Sequence, residues 1–211
     1  PEKRNAELLY FLKGHKCTFI AIEGKELKKT IEKSDCVLIG NGMEINATNR
    51  KLVNSLLKKF NKKKRFVLDA GSLHMVDKKL LNINVCITPH ILEFFSLFGK
   101  RGNRQTVLGM AEKYGCTVLL KLPTGDLISD GKELAINDTG NEGMTKGGTG
   151  DVLAGLVAGI ACKNKLFAAA KAGAFLNGFA GDMLKKERGT HFDADDLADY
   201  LGIAFETAIR K

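Results

Sequence analysis

Short apolar and β-branched runs recur along the chain, separated by stretches in which apolar positions return every three or four residues. The runs lie at 17–22, 36–40, 66–70, 84–87 and 117–121, and the helical patterns include 49–60 and 104–114. Strands apolar at every position have no solvent-facing side, so they belong in a parallel sheet covered by helices on both faces. Two further runs, 127–129 and 134–136, flank Asp130-Gly131, a pair suited to the tight turn of a β-hairpin. Three helical patterns close the chain, at 151–162, 166–187 and 194–210. Asp193 stands where it caps the last of them, and Asp195 and Asp196 suit its first turn, where the helix dipole favours negative charge. The alternation predicts an α/β fold with three layers, α/β/α, around a mostly parallel sheet. With 211 residues and no repeat, low-complexity tract or long linker, a single domain over 1–211 is expected.

Ligands of such sheets bind beyond the carboxyl ends of the strands. Gly40-Asn-Gly42, Asp69-Ala-Gly71 and Thr88-Pro-His90 each follow a predicted strand, and a glycine-rich loop follows the hairpin, so four loops point to one crevice. In that last loop Gly147, Gly148, Thr149 and Gly150 lead directly into an apolar helix, with Asp151 at the junction. Bare backbone N–H groups and the positive end of a helix dipole together make an anion hole. A carboxylate on the same turn faces whatever carries the anion. The pairing points to phosphoryl transfer, with the backbone stabilising charge while Asp151 takes a proton from a hydroxyl. Other glycine motifs fit poorly: Lys146 is followed by glycine rather than the Ser or Thr of a Walker loop, and Leu153 stands where a dinucleotide fingerprint needs glycine or alanine. The plainer alternative is a flexible loop before a buried helix, with Asp151 only a capping carboxylate.

Composition changes this picture little. The net charge of +9 gathers at 58–65, which reads as a solvated helix end; without interleaved aromatics it implies no nucleic-acid partner, while basic character suits an anionic substrate. No run approaches the roughly 18 apolar residues of a membrane span, and no signal peptide is apparent, so no membrane partner is expected. Five cysteines without CxxC spacing fit buried thiols in a reducing compartment, the cytoplasm.

Gly140-Asn-Glu-Gly-Met followed by Thr-Lys-Gly-Gly-Thr-Gly-Asp-Val-Leu-Ala-Gly resembles the signature of the ADP/ATP-dependent NAD(P)H-hydrate dehydratases, of the ribokinase-like superfamily. Val67-Leu-Asp-Ala-Gly-Ser-Leu73 resembles the family's Val-Leu-Asp-Ala-Asp-Ala-Leu, and Ile87-Thr-Pro-His-Ile-Leu-Glu-Phe94 its Leu-Thr-Pro-His-Pro-Gly-Glu-Phe. Val37-Leu-Ile-Gly-Asn-Gly42 resembles its Val-Ile-Gly-Pro-Gly. The resemblance runs from about residue 30 to the C-terminus. It implies a ribokinase-like fold and repair of the S epimer of NAD(P)H hydrate. ADP or ATP would phosphorylate the ring hydroxyl, and loss of phosphate would restore the double bond. In this scheme Asp151 is the base and residues 147–150 form the anion hole. Gly42 and His90 contact the hydrated nicotinamide, Glu93 attends Mg²⁺, and Lys121, Asn141, Glu142, Gly143 and Gly150 line the nucleotide site.

Some positions depart from the family pattern. No counterpart of its first glycine-rich strand-turn-helix unit is present, so the domain is expected to be shortened at that end, with a homo-oligomer covering the exposed sheet edge. Glu44 replaces a glycine, and Leu122-Pro-Thr-Gly125 replaces a Lys-Gly-x-x-Thr nucleotide contact. Two other readings stay open: a ribokinase-like small-molecule kinase for a vitamin precursor, sugar or nucleoside, and a nucleotide-binding protein without catalysis.

Overall fold

The computed structural model describes Phe11, residues 20–22 and residues 24–210. The chain divides into two compact units, Pro1–Asp35 and Cys36–Lys211. In the first, a short 3-10 turn leads into helix α1, Leu27–Lys33, closed by Ser34, whose Oγ donates to Thr30 O at 2.8 Å. The strand expected at 17–22 falls for the most part outside the described residues, and Ile20 to Ile22 carry no strand geometry.

The second unit holds a six-stranded sheet in sequential order: β1 Cys36–Ile39, β2 Arg65–Leu68, β3 Val85–Ile87, β4 Thr117–Leu120, β5 Asp126–Ser129 and β6 Leu134–Asn137. The first four run parallel, and the hairpin β5–β6 adds an antiparallel edge to β4. Helix α2, Ala47–Phe60, connects β1 to β2. Helices α3, Ile91–Phe98, and α4, Arg104–Tyr114, connect β3 to β4. Successive right-handed crossovers in one direction send connecting segments to the same face. Gly102, between α3 and α4, marks that face: a Cβ there would stand 2.5 Å from Leu120 Cδ2. Phe66, Leu68, Val85, Ile87, Val118 and Leu120 point into this layer and are fully buried.

Alternate residues Val67, Cys86, Leu119 and Ile128 face the other way, into a core completed by Leu153, Val157, Ala161, Leu166 and Ala169. These come from α5, Thr149–Ala161, and α6, Leu166–Arg188. The two pack closely enough that a Cβ on Gly173 would lie 2.6 Å from Val157 Cγ2, which explains the alanine- and glycine-rich composition of α6. Helix α7, Ala194–Ile209, joins a smaller cluster around Ala180, Leu184, Phe192 and Leu197. This is the three-layer α/β/α arrangement expected from the alternating pattern, the fold that the resemblance implies is ribokinase-like. The helix expected from residue 151 begins two residues earlier, which moves Gly150 from the loop into the first turn.

Candidate active site

Four parallel strands deliver polar residues to one end of the sheet, and the ladder continues past them. Asp69 N–H donates to Ile39 O at 3.0 Å, Thr88 N–H to Leu68 O at 3.0 Å and Lys121 N–H to Pro89 O at 2.9 Å. That register sets Asn41, Asp69, Thr88 and Lys121 next to one another. Asp69 is the hub, only 2% exposed. It accepts from Thr88 Oγ1 at 2.8 Å, Lys121 Nζ at 2.9 Å and Asn41 Nδ2 at 3.1 Å. A buried carboxylate requires such partners, because an uncompensated charge costs about several kcal/mol. Ala70, directly after it, lies in the left-handed region at φ +45, a strain that only a well-determined surrounding sustains.

The Asn41 amide also donates to Asp151 Oδ1, which ties the loop after β1 to the first turn of α5. Asp151 itself is exposed, so its carboxylate is anchored on one side and open on the other. Gly148 is the N-cap of α5, at φ +91, and no side chain caps the helix. Thr149 Oγ1 turns back to Met144 O at 2.7 Å and Lys146 O at 3.0 Å, fastening the loop to the helix. The first-turn N–H groups receive no side-chain cap, an arrangement also found at helix ends that bind anions. A Cβ on Gly150 would lie 3.4 Å from Lys121 Nζ, so an ammonium adjoins the uncapped turn and reinforces its positive potential.

Glycine at 148 has a local cause in the backbone and its neighbour. Its positive φ is strained for any side chain, and a Cβ would stand 2.7 Å from that of Ala194. Gly147 and Gly42 face open space, Gly42 in the left-handed conformation at φ +66.

His90 caps α3: its Nδ1 accepts from the N–H of Leu92 at 3.1 Å and of Glu93 at 3.3 Å. Glu93 completes the box, Oε2 accepting from His90 N–H at 2.8 Å, while Oε1 stands 3.5 Å from His90 Nε2. The pair holds the loop that positions Lys121, and half of the His90 side chain stays exposed. Asn141, Glu142 and Gly143, expected at the nucleotide, lie in and beside a 3-10 turn, Glu142–Met144, before the glycine loop. Asn141 Nδ2 donates to Asp182 Oδ1 at 3.0 Å, Lys185 pairs with Glu142 at 2.9 Å, and Gly143 packs against the Phe192 ring. These contacts run to α6 and to Phe192, and none joins the Asp69–Asp151 network.

Asn41 and Thr88 lie in loops expected at the crevice but carried no role there, and both bind Asp69. For Asn41 the available signal is its place where the family motif carries proline. Two thiols drop out as nucleophiles: burial pushes Cys116 up to about 12 and Cys86 well above the usual thiol range. Among the described residues no cluster of three or more His, Cys, Asp or Glu could hold a metal ion unaided, and no helix is long and apolar enough to cross a membrane.

A sequence profile of the NAD(P)H-hydrate dehydratase family matches residues 8–202. The bifunctional NAD(P)H-hydrate repair enzyme of Methanocaldococcus jannaschii is 37% identical over 172 residues, which cover 81% of this chain and 33% of that protein. The ADP-dependent (S)-NAD(P)H-hydrate dehydratase of Nitrosopumilus maritimus is 42% identical over 175 residues, covering 78% of this chain and 60% of that one. The chain thus spans about a third to three-fifths of the length of these relatives. Among solved structures, the ADP/ATP-dependent NAD(P)H-hydrate dehydratase of Bacillus subtilis, co-crystallised with ATP/Mg²⁺ and soaked with CoA, superposes with a TM-score of 0.70 at 24% identity. That match covers 82% of this chain and 66% of that one, and it speaks to fold.

Proposed function

The chain belongs to the NAD(P)H-hydrate dehydratase family, and from that membership we propose that it converts the S epimer of NAD(P)H hydrate to NAD(P)H at the expense of ADP or ATP. The observation that carries the reading is the junction of Asp151, on an uncapped helix turn, with the Asn41–Asp69–Lys121 network.

In this mechanism the transferring phosphoryl group sits against the first turn of α5, with Lys121 beside Gly150. Asp151 takes the proton of the ring hydroxyl, whose oxygen attacks phosphorus while the bond to the departing nucleotide breaks. The ring C–O bond then breaks with loss of phosphate, and a proton leaves the neighbouring ring carbon to re-form the double bond. A hydroxyl is a poor leaving group and phosphate a good one, so transfer must precede elimination. Glycine N–H groups, fixed before the reaction, stabilise charge without reorganising.

Magnesium fits as a companion of the nucleotide, since it is commonly held through one or two carboxylates, water and substrate phosphates. Glu93 Oε1, 3.5 Å from His90 Nε2 and not committed to the helix cap, is the oxygen that would hold it through water. When bound, the ion neutralises phosphate charge. Asn141, Glu142 and Gly143 take the nucleotide side of the loop, and Gly42 and His90 the nicotinamide side. We assign the reaction to the cytoplasm, where reduced thiols such as Cys86, Cys116 and Cys162 are at home, and a homo-oligomer as the working form.

The test is recovery of the reduced-nicotinamide absorbance from NADH hydrate or NADPH hydrate with Mg²⁺, with ADP and ATP in parallel. Nucleotide-dependent recovery is expected. Nucleotide binding without recovery would move the chain to another acceptor or to a binding role.

A further inference from the structure

Asn41 lies between two carboxylates and touches both. Its Nδ2 carries two hydrogens, and both are engaged there: Asp69 Oδ2 accepts at 3.1 Å, and Asp151 Oδ1 accepts from the same nitrogen. The neighbours fix the orientation of the amide, because turning it over would set its oxygen against two carboxylates. That oxygen is buried and has no hydrogen-bond partner among the described residues. An asparagine retained only for packing would satisfy it. The donors, not the acceptor, account for the residue.

The two carboxylates differ in how much they depend on it. Asp69 is held independently by Thr88 and Lys121. Asp151 is itself exposed, and among the described residues Asn41 is the side chain that holds it. Building on the dehydratase reading, we infer that Asn41 is a positioning residue for the base: it occupies Asp151 Oδ1, leaves Oδ2 to receive the substrate proton, and couples that geometry to the Asp69–Lys121 pair. Base and phosphate-binding turn thereby form one connected unit, since Lys121 adjoins Gly150. A proline at this position, as in the family motif, has no side-chain donor and could not make the link.

The test compares wild type, Asn41→Ala and Asn41→Ser in steady-state dehydration, with nucleotide KM and melting temperature measured alongside. Loss of a hydrogen bond to a charged group at the reacting centre predicts a fall in kcat of about tenfold to a hundredfold in Asn41→Ala. Nucleotide KM should stay within about twofold and Tm nearly unchanged, and Asn41→Ser, with one hydroxyl donor, should recover part of kcat. Wild-type kcat in Asn41→Ala would overturn the inference, as would a loss confined to nucleotide KM. If the wild type fails to dehydrate either hydrate, the dehydratase reading falls separately. Crystal structures of wild type and Asn41→Ala still decide the positioning role: Asp151 should stay against residue 41 in the first and swing away in the second. An identical Asp151 carboxylate in both would sink it.

Discussion

Helices α7 and α5 begin in opposite ways. At α7, Asp193 and Asp196 exchange hydrogen bonds, each carboxylate accepting from the other's N–H at 2.9 and 3.0 Å. Helices α3 and α4 are closed in the same manner by His90 with Glu93 and by Asn103 with Thr106. At α5 the N-cap is a left-handed glycine, and no side chain turns in. A good cap is worth about 1 kcal/mol, so the protein forgoes that stabilisation at the one of these four helix starts that faces Lys121 and Asp151. Helices α1 and α6 also start without a side-chain cap; in the proposed mechanism the open start of α5 keeps its donors for a ligand. In that mechanism the closed start of α7 serves stability and the open start of α5 serves chemistry.

Substitutions can break that assignment. Asp151→Asn removes the proposed base but leaves the turn, so turnover should fall by about a hundredfold to ten-thousandfold with nucleotide affinity nearly intact, as seen by calorimetric titration alongside rates. Gly148→Ala should damage both properties. A strained left-handed residue costs about 1–3 kcal/mol before the contact with Ala194 is counted, so the melting temperature drops by several degrees and activity with it. Lys121→Met takes the cation from a buried carboxylate and from the uncapped turn at once. Nucleotide binding should weaken about tenfold, with a loss of stability that Thr88 and Asn41 limit. Asp193→Ala is the converse case: about 1 kcal/mol of stability lost, with turnover unchanged in the assay at a temperature well below melting. Activity lost in Asp193→Ala but kept in Asp151→Asn would invert the comparison.

The capped helices are legible in the amino-acid sequence because a cap is local. Asp193-x-x-Asp196 and Asn103-x-x-Thr106 lie within one turn, and strands and helices show as continuous apolar runs and as a period near 3.6. The uncapped turn is legible for the same reason: glycines and a carboxylate before an apolar helix. What joins it to the sheet is not. The Asn41–Asp151 contact bridges 110 positions and the Lys121–Asp69 pair 52, and both depend on the stagger with which parallel strands end. Gly143 shows the same limit from the other side. Its place in the stretch that resembles the family signature is evident, while its burial against Phe192 depends on the packing of a distant loop.

Whether the open start of α5 receives phosphate is decided by a crystal structure with ATP and Mg²⁺. A phosphate is expected within hydrogen-bonding distance of the Gly150 and Asp151 N–H groups, with Lys121 alongside. A nucleotide bound with its phosphates elsewhere, and this turn left to water, would contradict it.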